Sequence, residues 1–204
     1  MIYKNRGVYM SKIFFVLGKS CSGKDTIFRY LKDNKDLNLK TVVGYTTRPM
    51  REGETEGVEY HFVSPETLQE MKECGKVIEC RDYNTVHGIW SYFTVDDGQI
   101  DLGKENYLYI GTLESYNDMV KYYGKGIVEP IYIQVETGER LERAVKRERQ
   151  QREPKYAELC RRFLADEEDF KEENIEKAGI SKKYINDDLE RCSKEIVEVI
   201  NEKR

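Results

Sequence analysis

Five apolar residues in a row, IFFVL at Ile13–Leu17, are closed by Gly18 and predict a short buried strand. From Asp25, DTIFRYLKDN sets Ile27, Phe28 and Leu31 at helical spacing, so a glycine-bounded loop joins a strand to a helix. LKTVVGY is a second strand candidate. From Thr46 the chain turns polar and turn-rich, and TTRPMREGETEGVEYHFV ends in the alternating Val58, Tyr60 and Phe62. SPETLQEMKECG carries helix signals: Ser64 to cap, Pro65 and Glu66 for the first turn, Gly75 to stop. KVIECRDY and IWSYFTV, rich in branched and aromatic residues, predict strands. Residues 44–95 thus read as a small α+β insertion. The alternation then resumes: NYLYIG as strand, TLESYNDMVKYYG as helix, and IVEPIYIQV as a strand interrupted early by Pro130. A long helical stretch broken near Pro154, a short strand at KKYIN, and a closing amphipathic helix with Leu189, Ile196, Val197 and Ile200 inward complete the chain. Strands alternating with helices predict an α/β fold with a parallel, doubly wound sheet.

Composition changes this picture little. The chain has 204 residues, enough for one domain with a substantial core, and its 39% hydrophobic and 35% charged residues suit a globular protein. A formal charge of −4 points to neither nucleic acid nor an anionic membrane as partner. No apolar run reaches the roughly 20 residues of a membrane span. The first residues do not read as a signal peptide, because the apolar run leads straight into the glycine loop. Met10 precedes SKIFF, so residues 1–9 read as an extension or an upstream start. Five cysteines, an odd number without C-x-x-C spacing, predict reduced thiols and a cytoplasmic location. Cys21 in the loop reads as a small residue that fits there, with a reactive thiol as the alternative.

Charge is concentrated late in the chain. Nine basic residues fall between Arg140 and Arg162, and the acidic run ADEEDFKEE follows. The pattern fits a solvated helix with i,i+4 ion pairs, and equally a lid whose arginines meet phosphates.

Two constellations carry chemistry. GKSCSGKDT, with Gly18, Lys19, Ser20, Cys21, Ser22, Gly23, Lys24, Asp25 and Thr26, nearly spells the phosphate loop G-x-x-x-x-G-K-[ST]. Backbone N–H groups between Gly18 and Lys24 can curl around phosphate oxygens at a helix N-terminus, and Lys24 can bridge β- and γ-phosphates. An ordinary glycine turn is the plain alternative; the strand, both glycines and the lysine together favour the phosphate loop. Asp25 stands where the pattern wants a hydroxyl for magnesium. In the second constellation Arg48, Arg51 and Tyr60 suit a monoester phosphate, and Glu79 is an acceptor for two N–H groups of a flat base edge. By composition alone a solvated turn with exposed charges is the favoured reading of this stretch.

TTRPMREGETEGVEYHFVS resembles the monophosphate-binding segment of guanylate kinases, T-T-R-x-x-R-x-G-E-x-x-G-x-x-Y-x-F-V-S. The resemblance extends to the glycine loop, SPETLQEM, VIE, RLERAVKR, CRRFLADEE and YINDDLE. It implies a P-loop kinase core (about 10–43 and 104–204), a monophosphate-binding insertion (about 44–95) and a helical lid (about 146–162), in one unit over 1–204. The implied reaction is transfer of the γ-phosphoryl group of ATP to GMP with Mg²⁺, giving GDP and ADP. Carried over by position, Arg48, Arg51 and Tyr60 would bind the GMP phosphate and Glu79 the guanine N1 and N2 edge. Lys24 would hold ATP phosphates, with Thr26 near the α-phosphate. Arg143, Arg147 and Arg162 match lid arginines that neutralise transition-state charge. Asn186 and Asp187 match a loop near the adenine.

Four departures bear on the site. Gly44 stands where the family commonly has a serine near the base, and His87-Gly88-Ile89 replaces Tyr-Gly-Ser/Thr, with His87 a candidate contact to phosphate or base and equally a turn residue. His61 reads as structural. Tyr109-Ile110-Gly111 fills the place of the family's Asp-x-Asp, and Asp25 brings a carboxylate into the loop. The last two suggest that Asp25 supplies the magnesium ligand otherwise drawn from the strand. Gly-Lys-Asp also resembles the loop of ribose 1,5-bisphosphate phosphokinases, a second reading with a sugar-phosphate acceptor. A third is a catalytically inactive binding module like the guanylate kinase-like domains of scaffold proteins. The sequence is compatible with a monomer or a homodimer.

Overall fold

The computed structural model describes residues 11–85 and 88–204. Five parallel strands form the central sheet in the order β2-β7-β1-β8-β9. These are β1 (Ile13–Leu17), β2 (Leu39–Thr41), β7 (Asn106–Ile110), β8 (Val128–Gln134) and β9 (Lys183–Ile185). Central β1 is buried on both faces, so its apolar run is continuous rather than alternating. Ile13, Phe15 and Leu17 join one core with Leu113, Tyr116 and Met119 of helix α3 (Leu113–Tyr123). Phe14 and Val16 face the other core, with Ile27 and Leu31 of α1 (Lys24–Asp33) and Ile196 and Ile200 of α7 (Leu189–Lys203). Helices therefore cover both faces, as strands alternating with helices require.

A second, mixed sheet comes from the insertion, in the order β4-β3-β6-β5. It comprises β3 (Tyr45–Thr46), β4 (His61–Phe62), β5 (Val77–Thr85) and β6 (Gly88–Val95), with helix α2 (Pro65–Glu73) packed on it through Leu68. Ser64 caps α2 by accepting from the Thr67 N–H, as its sequence predicts. Likewise Thr112 and Ser115 form a reciprocal cap at the start of α3.

Two sequence expectations change. LKTVVGY is not one strand: Leu39–Thr41 pairs with β7, Tyr45–Thr46 with β4 and β6, and the residues between carry the chain from one sheet to the other. Pro130 does not interrupt β8. It sits opposite Phe15 of β1, and pairing with β9 begins only at Tyr132, so the missing N–H falls outside that outer ladder.

Candidate functional site

The glycine loop leaves β1 and enters α1 as predicted. A Cβ on Gly18 would lie 2.5 Å from the Ile133 carbonyl oxygen. Gly23, at φ 87°, would set one 2.2 Å from Asn186 Nδ2. At Gly18 the approach of backbone requires glycine; at Gly23 the left-handed φ favours it, and a Cβ would also displace the Asn186 side chain. Cys21 holds the left-handed region at φ 64°, a conformation that costs a non-glycine residue about 1–3 kcal/mol and persists where surroundings impose it.

Those surroundings lie far along the chain. The Ser20 N–H donates to Asp166 Oδ2 at 2.7 Å, and Lys19 pairs with Glu167 at 2.8 Å. Both acids end helix α5 (Tyr156–Asp169). Arg140 of α4 (Thr137–Arg149), with its side chain 1% exposed, donates to the Ser20 carbonyl at 3.2 Å and pairs with Asp166 and Glu167. Its guanidinium stacks 3.7 Å from the centroid of Phe163. The solvated-helix reading fails for these three residues: they clasp the phosphate loop from beneath. Among the described residues Ser22 Oγ and Arg140 Nε are buried without a hydrogen-bond partner. Asn186 closes the loop from the other side. Its Nδ2 donates to the Ser22 carbonyl at 2.8 Å, and its own carbonyl accepts from Arg143 at 2.9 Å. Asp187 is exposed and ion-paired to Arg191, which holds its carboxyl low.

Lys24 and Asp25 open α1, with Lys24 Nζ 3.4 Å from the Asp25 carboxylate; Thr26 follows, exposed like Asp25. Burial first, then the neighbouring Tyr92, pushes the Tyr60 hydroxyl pKa up. Arg48 is 3% exposed and lies over the Tyr60 and Phe62 rings. Its fork grips Glu54, with Nη1 2.7 Å from Oε2, and this drives the Glu54 pKa down to about 2. Arg51 is exposed, and its backbone N–H donates to the same carboxylate. Tyr92, missed in the sequence, belongs here too. It accepts from Arg48 Nε at 3.1 Å and meets the Tyr60 ring edge-on. The signal was the period-two alternation Tyr92, Thr94 along β6, which puts both on one face.

Farther along that face Glu79 pairs with Thr94 across the strands. Thr94 Oγ1 lies 2.7 Å from Glu79 Oε1 and 2.6 Å from the Tyr109 hydroxyl. Burial pushes the Tyr109 pKa up, so the residue in the Asp-x-Asp place is a neutral phenol. A Cβ on Gly44 would come 3.4 Å from that hydroxyl, an ordinary van der Waals contact, so the two departures from the family pattern are neighbours. Arg81, unremarked in the sequence, is held 2.9 Å from Glu79 Oε2 and covers it. Burial opposes the Arg81 charge, and Glu79 together with Tyr109 and Tyr83 more than offsets it. His61 bonds Glu56 and stacks on Tyr45, a structural role. His87 lies outside the described residues.

Arg147 and Arg162 line a cleft of about 720 Å³ between α4 and α5, together with Arg152, Lys155, Glu148 and Glu158. Arg162 pairs loosely with Glu158 at 3.6 Å. Arg143 instead sits by the loop. The structure thus brings Arg143, Asn186 and the loop together, and gathers Arg147 and Arg162 in a separate basic cleft. Among the described residues no cluster of three or more metal-ligating side chains occurs, no helix is long and apolar enough to cross a membrane, and all five cysteines are free thiols.

Comparison with known proteins converges on one family. The family model for guanylate kinase matches residues 10–203. A guanylate kinase of Aliivibrio fischeri is 34% identical over 96 residues, 44% of this chain and 46% of that protein. One of Enterococcus faecalis is 32% identical over 97 residues, 46% of this chain and 45% of that protein. These matched segments span less than half the length of either relative. The crystal structure of guanylate kinase from Anaplasma phagocytophilum superimposes with a TM-score of 0.61 over 95% of this chain and 87% of that one, at 21% identity. At that identity the likeness concerns the fold.

Proposed function

The chain belongs to the guanylate kinase family, and from that premise we propose that it transfers the γ-phosphoryl group of ATP to GMP, giving GDP and ADP. The observation that carries the proposal is a pair of phosphate-suited constellations in one fold: a clasped glycine loop with Lys24 at its helix, and an arginine–tyrosine clamp of Arg48, Tyr60 and Tyr92. In this reading the core (10–43 and 104–204) holds ATP through residues 18–26, with Asn186 and Asp187 toward the adenine. The insertion (44–95) holds GMP through Arg48, Arg51, Tyr60, Glu79 and His87, and the lid (146–162) closes over both.

Phosphoryl transfer needs little covalent help, so positioning and charge neutralisation supply most of the rate. Lys24, Arg48, Arg143, Arg147 and Arg162 are the neutralising cations. In the present arrangement Arg48 is engaged by Glu54, and an incoming phosphate, with stronger charge and three oxygens, competes for that fork. Lid closure moves Arg147 and Arg162 toward the transferring group and excludes water.

Magnesium ordinarily binds through one or two carboxylates plus substrate phosphates rather than a protein cage. Asp25, exposed at the start of α1 beside Lys24, is the carboxylate proposed to hold it; buried Tyr109 offers none. Bound there with ATP, the ion neutralises charge on the phosphates. Substituting Asp25→Ser is expected to shift the Mg²⁺ dependence of ATP turnover and of ATP binding; unchanged dependence in both excludes Asp25. Free thiols in all five cysteines support the cytoplasm as the compartment.

ADP release with ATP–Mg²⁺ and a panel of GMP, dGMP, AMP, UMP, CMP and ribose 1,5-bisphosphate tests the reaction. GMP-selective release is expected. Release with the sugar phosphate alone, or with none of them, refutes it in favour of a related kinase or an inactive binding module.

A further inference from the structure

Beyond the arginine–tyrosine clamp, Arg81 sets a hydrogen-bond donor on the strand that carries Glu79, opposite Tyr92 of β6. Glu79, Arg81 and Tyr83 alternate along β5 and share one face. The Glu79 side chain is 0% exposed, while Arg81 keeps 13%. Both Glu79 oxygens are turned onto the protein's own donors: Oε2 onto Arg81 Nε at 2.9 Å, Oε1 onto Thr94 Oγ1 at 2.7 Å. Of this pair the guanidinium is the more exposed member. Its terminal nitrogens lie 3.4 Å from Thr112 Oγ1 and from Glu79 Oε1, within hydrogen-bonding reach of the Tyr83 hydroxyl. They border a cavity of about 540 Å³, also lined by Thr112 and Glu114, a size that suits a small ligand.

We infer that Arg81 reads the ring of the acceptor, donating to a keto oxygen and its neighbouring ring nitrogen, while Glu79, Thr94 and Tyr109 hold the guanidinium in place. The inference rests on the nucleoside monophosphate reading above and assigns its base selectivity to a different side chain. A two-pronged N–H fork matches the O6 and N7 edge of guanine, the pairing arginine makes with guanine in DNA. Hypoxanthine carries the same edge and lacks only the 2-amino group. Adenine places an amino donor against the fork, leaving donor facing donor. The pocket therefore separates keto from amino purines and is nearly indifferent to the 2-amino group. Reading by the Glu79 carboxylate predicts the opposite ranking, because it depends on the N1 and N2 donors and hypoxanthine has lost one of them.

The test is kcat/KM for GMP, IMP and AMP with ATP–Mg²⁺ in the wild type and two variants. Arg81→Lys keeps a charge beside Glu79 and loses the fork. The double variant Arg81→Met/Glu79→Gln removes both charges, so no carboxylate is left buried alone. In the wild type, GMP and IMP are expected within about 10-fold of each other and both well above AMP. Losing one bidentate pair lowers GMP and IMP alike by about 10- to 100-fold in both variants, chiefly through KM, with AMP little changed. A GMP preference over IMP beyond about 100-fold, or a GMP:AMP ratio unchanged in Arg81→Lys, overturns the inference and leaves the kinase reading intact. A wild type that phosphorylates no nucleotide refutes the kinase reading, and the inference with it.

Discussion

Replacing Arg140 by methionine removes the guanidinium that ties the acidic end of α5 to the phosphate loop while keeping most of the side-chain volume. The variant loses the bond to the Ser20 carbonyl and the pairs with Asp166 and Glu167. Removing one partner of a buried ion pair typically costs about 3–5 kcal/mol. Here the estimate is lower. The Asp166 and Glu167 side chains are 18% and 36% exposed, and Glu167 keeps Lys19 at 2.8 Å. That leaves about 2–3 kcal/mol by the same reasoning, or a fall in Tm of about 4–12 °C for a chain of this size. The loop carries a strained Cys21 and is shaped by this clasp, so the ATP KM is expected to rise along with the loss of stability. Differential scanning calorimetry with and without ATP reads both effects. Asp166→Asn should be milder, because the amide oxygen still accepts from the Ser20 N–H. Combining it with Arg140→Met should recover part of the loss, since the two residues are coupled. An Arg140→Met variant with unchanged Tm and unchanged ATP affinity would refute the clasp.

Three further outcomes are expected. Arg48 holds the Glu54 carboxyl down to about 2, so this pair stabilises the fold above the ordinary value of 4.5 and the contribution fades as pH falls from there towards 2; urea midpoints across that window should slope less in Glu54→Gln. Gly23→Ala forces a Cβ against Asn186 Nδ2 at a left-handed backbone position, and equilibrium binding should show ATP affinity lost or severely weakened while far-ultraviolet circular dichroism stays native. Tyr92→Phe deletes the acceptor for Arg48 Nε, at a cost of about 1–3 kcal/mol for a bond to a charged group; a raised KM for the acceptor with an unchanged KM for ATP is the expected split in steady-state kinetics.

Much of this site could be read from the chain, and the unread part has a common cause. The loop, its helix, the capped α2 and the Arg48, Arg51 and Tyr60 part of the clamp are local patterns, set by spacing within some fifteen residues, whereas Tyr92 joins the clamp from 44 positions away. Arg140, Asp166 and Glu167 escaped because charge on a helix ordinarily faces water. Their partners lie at Lys19 and Ser20, more than a hundred positions away. One sign was present: Arg140, Ala144 and Glu148 occupy the buried stripe of α4 at i,i+4 spacing, so two charges sit on its inward face. Arg81 escaped for a different reason. Alternation puts it with Glu79 and Tyr83, but which face of β5 meets the cleft depends on the neighbouring strands. That Gly44 neighbours Tyr109 is visible only once the insertion lies against the end of β7.

The most direct test of the whole account is the fate of the γ-phosphoryl group. With γ-³²P-labelled ATP, Mg²⁺ and GMP, the label is predicted to appear in GDP, with Lys24→Ala and Arg48→Ala each abolishing the transfer in protein that remains folded. Label that stays in ATP, is released as inorganic phosphate, or passes to GMP equally well in the Arg48→Ala variant would contradict it.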